Sequence, residues 1–247
     1  MKQEINLTNV SFSYLKKVPV LKNISLLINR GDFIGITGVN GSGKSTLCYL
    51  FNGIIPHLIK GGLTGTIHLD GADTRNTEVS LLSLKAGFLF QNPDFSLFNL
   101  TVEEEIAFGL KNFGFKNVKE RVQKILSTLG ISTFRQRDPH ELSWGEKQKV
   151  NLASLLALDT PYLILDEPTS MLDYKSSLEL YNLLHKLNKE GKTVVVVEHD
   201  TDFIRHYCAR CVILDQGKIV IDQNTDKAFT NRKYIELLGV KYPARKI

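Results

Sequence analysis

The residues with the clearest chemical potential form a glycine-rich loop at positions 38–45, with the sequence GVNGSGKS. This run matches the pattern G-x-x-x-x-G-K-[ST], in which successive backbone N–H groups curl around phosphate oxygens. An apolar segment, residues 33–37, precedes the loop, and a helical pattern over residues 44–52 follows it. This order points the N-terminal dipole of the helix at the same anion. The loop, called the phosphate loop below, is therefore predicted to bind the phosphates of a nucleotide.

Two side chains of the phosphate loop have distinct expected roles. Lys44 is expected to reach the β- and γ-phosphates, and Ser45 is expected to place its hydroxyl on Mg²⁺. The candidate nucleotide-binding residues from this part of the chain are Gly38, Asn40, Gly41, Ser42, Gly43, Lys44, Ser45 and Thr46.

Two acids, Asp166 and Glu167, follow the apolar segment at residues 162–165. A strand that ends in acids places carboxylates at the carboxyl edge of a parallel sheet, where ligands bind. Asp166 suits Mg²⁺ binding, and Glu167 suits a general base that polarises the attacking water. By itself such a pair is as often structural as catalytic, and the phosphate loop is what favours the catalytic interpretation.

A second candidate anion site lies at the start of a predicted helix, in the sequence LSWGEKQ at residues 142–148. Ser143 and Gly145 there resemble the beginning of another anion-binding helix N-terminus. Because one triphosphate needs one such helix start, the second is predicted to bind nucleotide held by another copy of the molecule. The alternative is an ordinary N-cap at Ser143.

The elements that must position these residues alternate along the chain. Residues 5–10 and 24–28 alternate as half-buried strands, and alternating strands and helices resume after residue 160. This order predicts an α/β fold with a mainly parallel sheet, the P-loop NTPase core, preceded by an N-terminal antiparallel β subdomain. Helical patterns at 102–113, 118–129 and 144–158 predict an inserted helical lobe. One domain is expected over 1–247, with core and β subdomain at about 1–90 and 160–224, lobe at about 91–159 and an unassigned tail at 225–247.

Three further features complete a resemblance to a known family. Gln91 follows a predicted strand at 87–90, the sequence SMLD at 170–173 follows the acidic pair, and His199 follows a strand at 194–197. In this order, the motifs resemble the ATPase subunits of ABC transporters from Tyr14 to about residue 222.

The resemblance implies a role for each matching residue. The phosphate loop is the Walker A motif, Asp166 ends the Walker B strand, and Glu167 is the catalytic glutamate. Gln91 is the Q-loop glutamine, which contacts Mg²⁺ and reports to the membrane subunit. Residues 170–173 are the D-loop. The remaining implied roles are switch histidine for His199, adenine stacking for Tyr14, and signature contacts to nucleotide for Ser143, Gly145 and Glu146.

The signature segment, residues 142–146, departs from the usual LSGGQ of the family. Here it reads LSWGE, so Trp144 replaces the first glycine and Glu146 replaces glutamine. Ser143 and Gly145, the expected donors to the γ-phosphate, are retained. The substitution at Trp144 bears on how tightly two copies would meet.

A finer resemblance, carried by residues 52–57, 90–98 and 100–109, is to the energy-coupling-factor ATPases. It implies an ATP-hydrolysing subunit, with ATP and Mg²⁺ as cofactors, that powers uptake of a vitamin or a transition-metal ion. The implied partners are integral membrane subunits, namely a coupling protein and a substrate-binding component, and a second ATPase in a homodimer or heterodimer. The implied location is the cytoplasmic face of the cell membrane, as a peripheral subunit. The alternative is the ATPase of another type of ABC importer or exporter.

Composition and spacing weigh against other classes. The net charge is +5, but Lys and Arg are spread along the chain, so no nucleic-acid partner is expected. A DNA-maintenance ATPase with the same head would carry hundreds of coiled-coil residues between Ser45 and Leu142, and a small-molecule P-loop kinase would not explain the signature segment or the D-loop. Cys208 and Cys211 have CxxC spacing without a second pair, which predicts core cysteines rather than a zinc site.

Overall fold

The structure is a computed structural model that describes residues 3–14 and 18–244. The ends of the predicted domain, residues 1–2 and 245–247, lie outside the described residues. The strands are β1 (Glu4–Ser13), β2 (Leu21–Asn29), β3 (Phe33–Thr37), β4 (Gly62–Leu69), β5 (Ala72–Asp73), β6 (Ala86–Leu89), β7 (Tyr162–Asp166), β8 (Thr193–Val197), β9 (Arg210–Asp215) and β10 (Lys218–Asn224). The helices are α1 (Lys44–Phe51), α2 (Ile54–His57), α3 (Val79–Ser83), α4 (Val102–Asn112), α5 (Val118–Thr128), α6 (Trp144–Ala157), α7 (Tyr174–Lys189), α8 (Thr201–Tyr207), α9 (Thr225–Ala228) and α10 (Arg232–Leu237).

The N-terminal strands form an antiparallel sheet in the order β2-β1-β4-β5. Alternation of apolar and polar residues in β1 places Ile5 and Leu7 in the core. Ile5 pairs with Ile28 of β2 and with Leu69 of β4. The predicted antiparallel β structure is thereby confirmed.

The second sheet has six strands in the order β10-β9-β3-β8-β7-β6. All neighbouring pairs are parallel except β9 with β10. Every residue of β3, β7 and β8 is buried, as expected for strands covered on both faces. One apolar cluster joins one face of this sheet to α1 and the antiparallel sheet, and another joins the opposite face to α7 and α8. The prediction of a mainly parallel sheet is confirmed, and the carboxyl ends of β3, β7 and β8 meet at one edge.

The helices α4, α5 and α6 pack on one another around a third apolar cluster. Thr101 caps α4, because its side-chain oxygen accepts the backbone N–H of Glu104 at 3.2 Å. The sequence did not predict the short helices α2 and α3, since four or five residues show too little of a helical repeat.

The chain beyond α10 packs back on the core. Val240 is buried, and the Nζ atom of Lys241 lies 2.8 Å from Oδ1 of Asp200 and 2.8 Å from Oδ2 of Asp202. The sequence left this tail without a role, and the structure places it beside the loop that carries His199. Cys208 and Cys211 are buried and unpaired, as core cysteines are. Among the described residues, none of the helices combines the length and apolarity that crossing a membrane requires.

Candidate active site

The phosphate loop connects the end of β3 to the start of α1. Gly38 has a φ of 147°, and a Cβ atom there would lie 2.2 Å from the backbone oxygen of Leu214. Gly43 has a φ of 105° and faces Leu21 at 2.8 Å in the same way. The tight turn therefore requires glycine at both positions. Ser42 is 2% exposed, and its hydroxyl has no hydrogen-bond partner among the described residues.

Lys44 is enclosed by the loop to which it belongs. Its Nζ atom donates hydrogen bonds to the backbone oxygens of Gly38 at 2.9 Å and Val39 at 3.1 Å. Burial lowers the pKa of Lys44, while the charges of Glu167 and Asp166 oppose that shift. A positive charge held in a glycine-rich loop is suited to bind phosphate oxygens.

Asp166 ends β7 and lies beside the start of α1. It is 2% exposed, its Oδ1 atom has no partner among the described residues, and the Ser45 hydroxyl lies close to the carboxyl. Burial raises the pKa of Asp166, and the Ser45 hydroxyl opposes the shift. An orphaned carboxylate oxygen next to a hydroxyl fits the oxygen ligands that Mg²⁺ prefers. Residues Ser45, Gln91 and Asp166 are the ones that would hold this ion.

Glu167 is held from two sides by residues of separate strands. The Nε2 atom of Gln91, after β6, donates to Oε2 of Glu167 at 2.6 Å. The Nε2 atom of His199, after β8, lies 2.9 Å from Oε1 of the same carboxylate. Each carboxylate oxygen has a second lone pair that can accept a proton from water. The arrangement therefore orients a carboxylate beside Lys44 without using up its capacity as a base.

One cleft of about 700 Å³ brings most of the sequence-predicted residues together. Its wall includes Tyr14, Asn40, Gly41, Gly43, Lys44, Ser45, Thr46, Gln91, Glu167 and His199. Tyr14 forms its outer wall and hydrogen-bonds through its hydroxyl to Oγ1 of Thr46 at 2.7 Å. Its ring stands edge-on to Phe12, with 5.0 Å between ring centroids. We call this the nucleotide cleft; Gly38, Ser42 and Asp166 lie next to it without lining it.

The signature segment lies elsewhere on the molecule. Ser143, Gly145 and Glu146 line a separate depression, together with Trp144 and the D-loop. Glu146 caps its own helix, because its Oε2 atom accepts the backbone N–H of Ser143 at 2.8 Å, completing a capping box. The nucleotide cleft and the signature segment therefore lie on different surfaces of the single chain, and Glu146 caps its own helix whatever its contact with nucleotide.

Two contacts join the segment after Gln91 to the signature helix α6. Lys147 forms an ion pair with Asp94 at 2.8 Å, and Nδ2 of the buried Asn151 donates to the backbone oxygen of Pro93 at 2.8 Å. The sequence predicted both segments but not these two contacts between them, because nothing in the spacing of the segments indicates that they touch.

Sequence reasoning also missed two residues directly behind the nucleotide cleft. Oγ1 of Thr169 donates to Oε1 of Glu198 at 2.6 Å, and Glu198 is 3% exposed. The available signal was an acid immediately after four buried valines, since an acid in that position must have a partner.

Fold and site together define a P-loop NTPase that hydrolyses ATP. The sequence profile of the ABC transporter family matches residues 21–170, and the chain belongs to that family as an ATP-binding subunit. Over 241 residues it is 35% identical to the energy-coupling factor transporter ATP-binding protein EcfA1 of Mycoplasmoides gallisepticum, which covers 97% of this chain and 84% of that protein.

Solved structures agree with this assignment. The structure of cbiO1 from Clostridium perfringens, described as part of the ABC transporter complex cbiONQ, superposes with a TM-score of 0.82. Its sequence is 30% identical, and the match covers 97% of this chain and 95% of that one. The ATP-binding cassette MJ0796, solved as a dimer in a post-hydrolysis state with ADP and Pi, matches with a TM-score of 0.79 at 31% identity, over 90% of this chain and 98% of that one.

Proposed function

We propose that this chain is the ATPase of an energy-coupling-factor importer that takes up a vitamin or a transition-metal ion. Its partners would be a coupling protein and a substrate-binding component in the membrane, and it would lie peripherally on the cytoplasmic face. The likeness to EcfA1 and cbiO1 supports the importer type, and the observation that carries the ATP-driven mechanism is the separation of the nucleotide cleft from the signature segment. Each surface is half of an ATP site, so two ATPase subunits must meet head to tail to complete it.

This geometry supports the following assignment of residue roles. Backbone N–H groups of the phosphate loop and Lys44 bind the phosphates, and Tyr14 stacks on the adenine. Bound Mg²⁺ would neutralise phosphate charge, held by Ser45, Gln91 and Asp166. Glu167 accepts the proton of the attacking water, while His199 and Gln91 orient its carboxylate. Ser143 and Gly145 of the second subunit bind the γ-phosphate from the other side. Loss of that phosphate removes the bridge between the halves, and the dimer opens.

A surface beside Gln91 is suited to transmit this motion. Four large apolar side chains there are exposed, and we call them the apolar patch: Phe95 75%, Phe98 58%, Leu100 79% and Phe108 41%. The patch is preformed, because Oε2 of the buried Glu105 accepts the backbone N–H groups of Phe98 at 3.0 Å and Asn99 at 2.9 Å. Clustered exposed apolar residues of this kind mark interaction sites. We assign the patch to an apolar segment of the membrane subunit.

The test is co-purification from membranes in mild detergent, with mass spectrometry of the captured proteins. The tagged wild-type chain should bring down integral membrane subunits of a transporter. Phe98→Asp should lose them and keep the ATPase activity of the isolated chain, because the change lies on the patch and outside the cleft. The matched control is Leu237→Asp on α10, where an 81% exposed leucine lies away from the patch. Equal capture by Phe98→Asp and wild type would contradict the assignment of the patch.

The substrate class needs a separate measurement. Cells that carry either the wild-type chain or Glu167→Gln are compared for uptake of radiolabelled vitamins, cobalt and nickel. Uptake of one of these compounds should fall in the Glu167→Gln cells. Unchanged uptake of all of them, with an identified membrane partner, would favour another type of ABC transporter.

A further inference from the structure

A buried carboxyl, that of Glu198, pairs with the half-buried hydroxyl of Thr169 next to the candidate catalytic residues. Oε1 of Glu198 accepts a hydrogen bond of 2.6 Å from Oγ1 of Thr169. The backbone N–H of Glu198 also donates to the backbone oxygen of Ile36, at the end of β3, at 3.0 Å. Glu198 is thus tied to the strand that leads into the phosphate loop as well as to Thr169.

The position of the pair in the chain links two loops. Glu198 directly precedes His199, while Thr169 follows Glu167 by two residues and directly precedes the D-loop. The hydrogen bond therefore connects the loop of the switch histidine to the turn that carries the catalytic glutamate. Both loops contribute to one contact, since His199 and Glu167 lie 2.9 Å apart at Nε2 and Oε1.

The turn after β7 needs such a connection because its backbone is strained. Glu167 has a φ of 50°, in the left-handed region that non-glycine residues adopt at a free-energy cost. Two backbone hydrogen bonds hold it: its N–H donates to the oxygen of Val197 at 3.0 Å, and Ser170 N–H donates to its oxygen at 3.3 Å. The Thr169–Glu198 bond is the side-chain contact that fixes the same turn against β8.

We propose that Glu198 is a positioning residue, which acts through Thr169 to hold Glu167 and His199 in register with each other and with the D-loop. This inference rests on the proposed roles of Glu167 and His199. A displacement of Glu167 relative to His199 should lower kcat more than the affinity for ATP. The reason is that the phosphate loop and Tyr14, which bind the nucleotide, are separate from the turn.

The Thr169 hydroxyl can donate to the Glu198 side chain whether or not the carboxyl carries a proton, and burial favours the uncharged form. Burial raises the pKa of Glu198 to about 7; the hydrogen bond from Thr169 and the nearby Tyr181 hydroxyl and Asp200 backbone N–H oppose the shift, and the charge of Asp200 adds to it. Within the described residues, Glu198 forms no ion pair with Lys, Arg or His. A neutral amide of the same shape should therefore replace the carboxyl, whereas loss of either polar group should not be tolerated.

The test compares steady-state ATP hydrolysis by Thr169→Val, Glu198→Ala and the double variant. Each single variant should lower kcat about 10-fold or more, because small displacements of reacting groups reduce turnover strongly. KM for ATP should stay within about twofold. The double variant should have a kcat no lower than that of either single variant, since both changes remove the same bond.

The conservative variants test for rescue: Thr169→Ser should restore kcat relative to Thr169→Val, and Glu198→Gln should restore it relative to Glu198→Ala. Thr230→Val, an exposed threonine far along the chain, is the matched control.

Two results would overturn the inference. One is an unchanged kcat in Thr169→Val, and the other is additive losses in the double variant. Glu167→Gln and His199→Ala are assayed in parallel. If those two keep activity, the proposed residue roles fail; if they lose it and Thr169→Val does not, the positioning role alone fails. If Thr169→Val does not fold, the kcat values of Glu198→Ala and Glu198→Gln are compared instead. Equal values would refute the role of the hydrogen bond.

Discussion

Gln91 and Glu167, 76 positions apart in the sequence, meet through a hydrogen bond of 2.6 Å between Nε2 and Oε2. The bond joins the segment that leads to the apolar patch with the candidate base. A displacement of that segment by a membrane partner would therefore reach the carboxylate directly. This contact links the segment that leads to the surface assigned to the transporter with the candidate base in the cleft.

Replacement of the base should separate binding from hydrolysis. Glu167→Gln retains the shape of the side chain, and its amide oxygen can still accept the hydrogen bond from Gln91, but it is not basic enough to accept the proton of water. We expect ATPase activity to fall about 10²-fold or more. ATP·Mg²⁺ should then hold two subunits together, and gel filtration should detect a dimer.

Glu190→Gln, at an exposed position after α7, is the control for this change and should behave as wild type. A Glu167→Gln chain that binds ATP and elutes as a monomer at all protein concentrations would contradict the head-to-tail dimer.

Trp144 provides an optical signal of the same closure, because it is the sole tryptophan of the chain. Its side chain is 37% exposed beside Met171, which is 59% exposed, on the surface that would meet a second subunit. Addition of ATP to Glu167→Gln should shift tryptophan emission to shorter wavelength as the indole leaves water. Trp144→Phe is the blank. Dimer formation without any change in emission would show that the indole stays outside the interface.

Tyr14 should affect affinity for ATP and leave turnover unchanged. Tyr14→Ala removes the ring that would stack on adenine, and an interaction of about 1–3 kcal/mol corresponds to a rise in KM of roughly 5- to 150-fold. Tyr14→Phe loses only the hydrogen bond to Thr46 and keeps the ring. Steady-state kinetics over a range of ATP concentrations distinguish the two. A larger effect of Tyr14→Phe than of Tyr14→Ala would assign the role to the hydroxyl.

Glu198 should make stability depend on pH. Its pKa is about 7 in the fold against 4.5 ordinarily, so the folded chain keeps a proton that the unfolded chain releases first. The free energy of unfolding should therefore fall as pH rises from about 4.5 to about 7, by up to about 3 kcal/mol from this group. Glu198→Gln removes the contribution.

The measurement for this effect is urea unfolding of wild type and Glu198→Gln at pH 5 and pH 8. From pH 5 to pH 8, the free energy of unfolding of the glutamine variant should rise relative to that of wild type. All other titrating groups are common to both proteins, so the relative change reports on Glu198. An equal difference at both pH values would show that Glu198 does not retain its proton in the fold.

The amino-acid sequence alone determined the phosphate loop, the acidic pair and the strands that carry them. These features are local: Gly38 and Gly43 are required by backbone geometry within a few residues, and four successive valines in β8 encode a buried strand. The roles of Gln91, His199 and Tyr14 came from the order of motifs, and their presence in one cleft agrees with that order.

The tertiary structure alone decided which side chains touch. Glu198 and Thr169 become partners because parallel strands β7 and β8 bring their carboxyl ends to one edge, although 29 positions separate the two residues. Lys147 meets Asp94 because α6 packs against the segment after Gln91. Such pairs depend on the register of distant elements, and no local pattern of residue types encodes that register. For the same reason, the separation of the signature segment from the nucleotide cleft became visible only once the chain was folded.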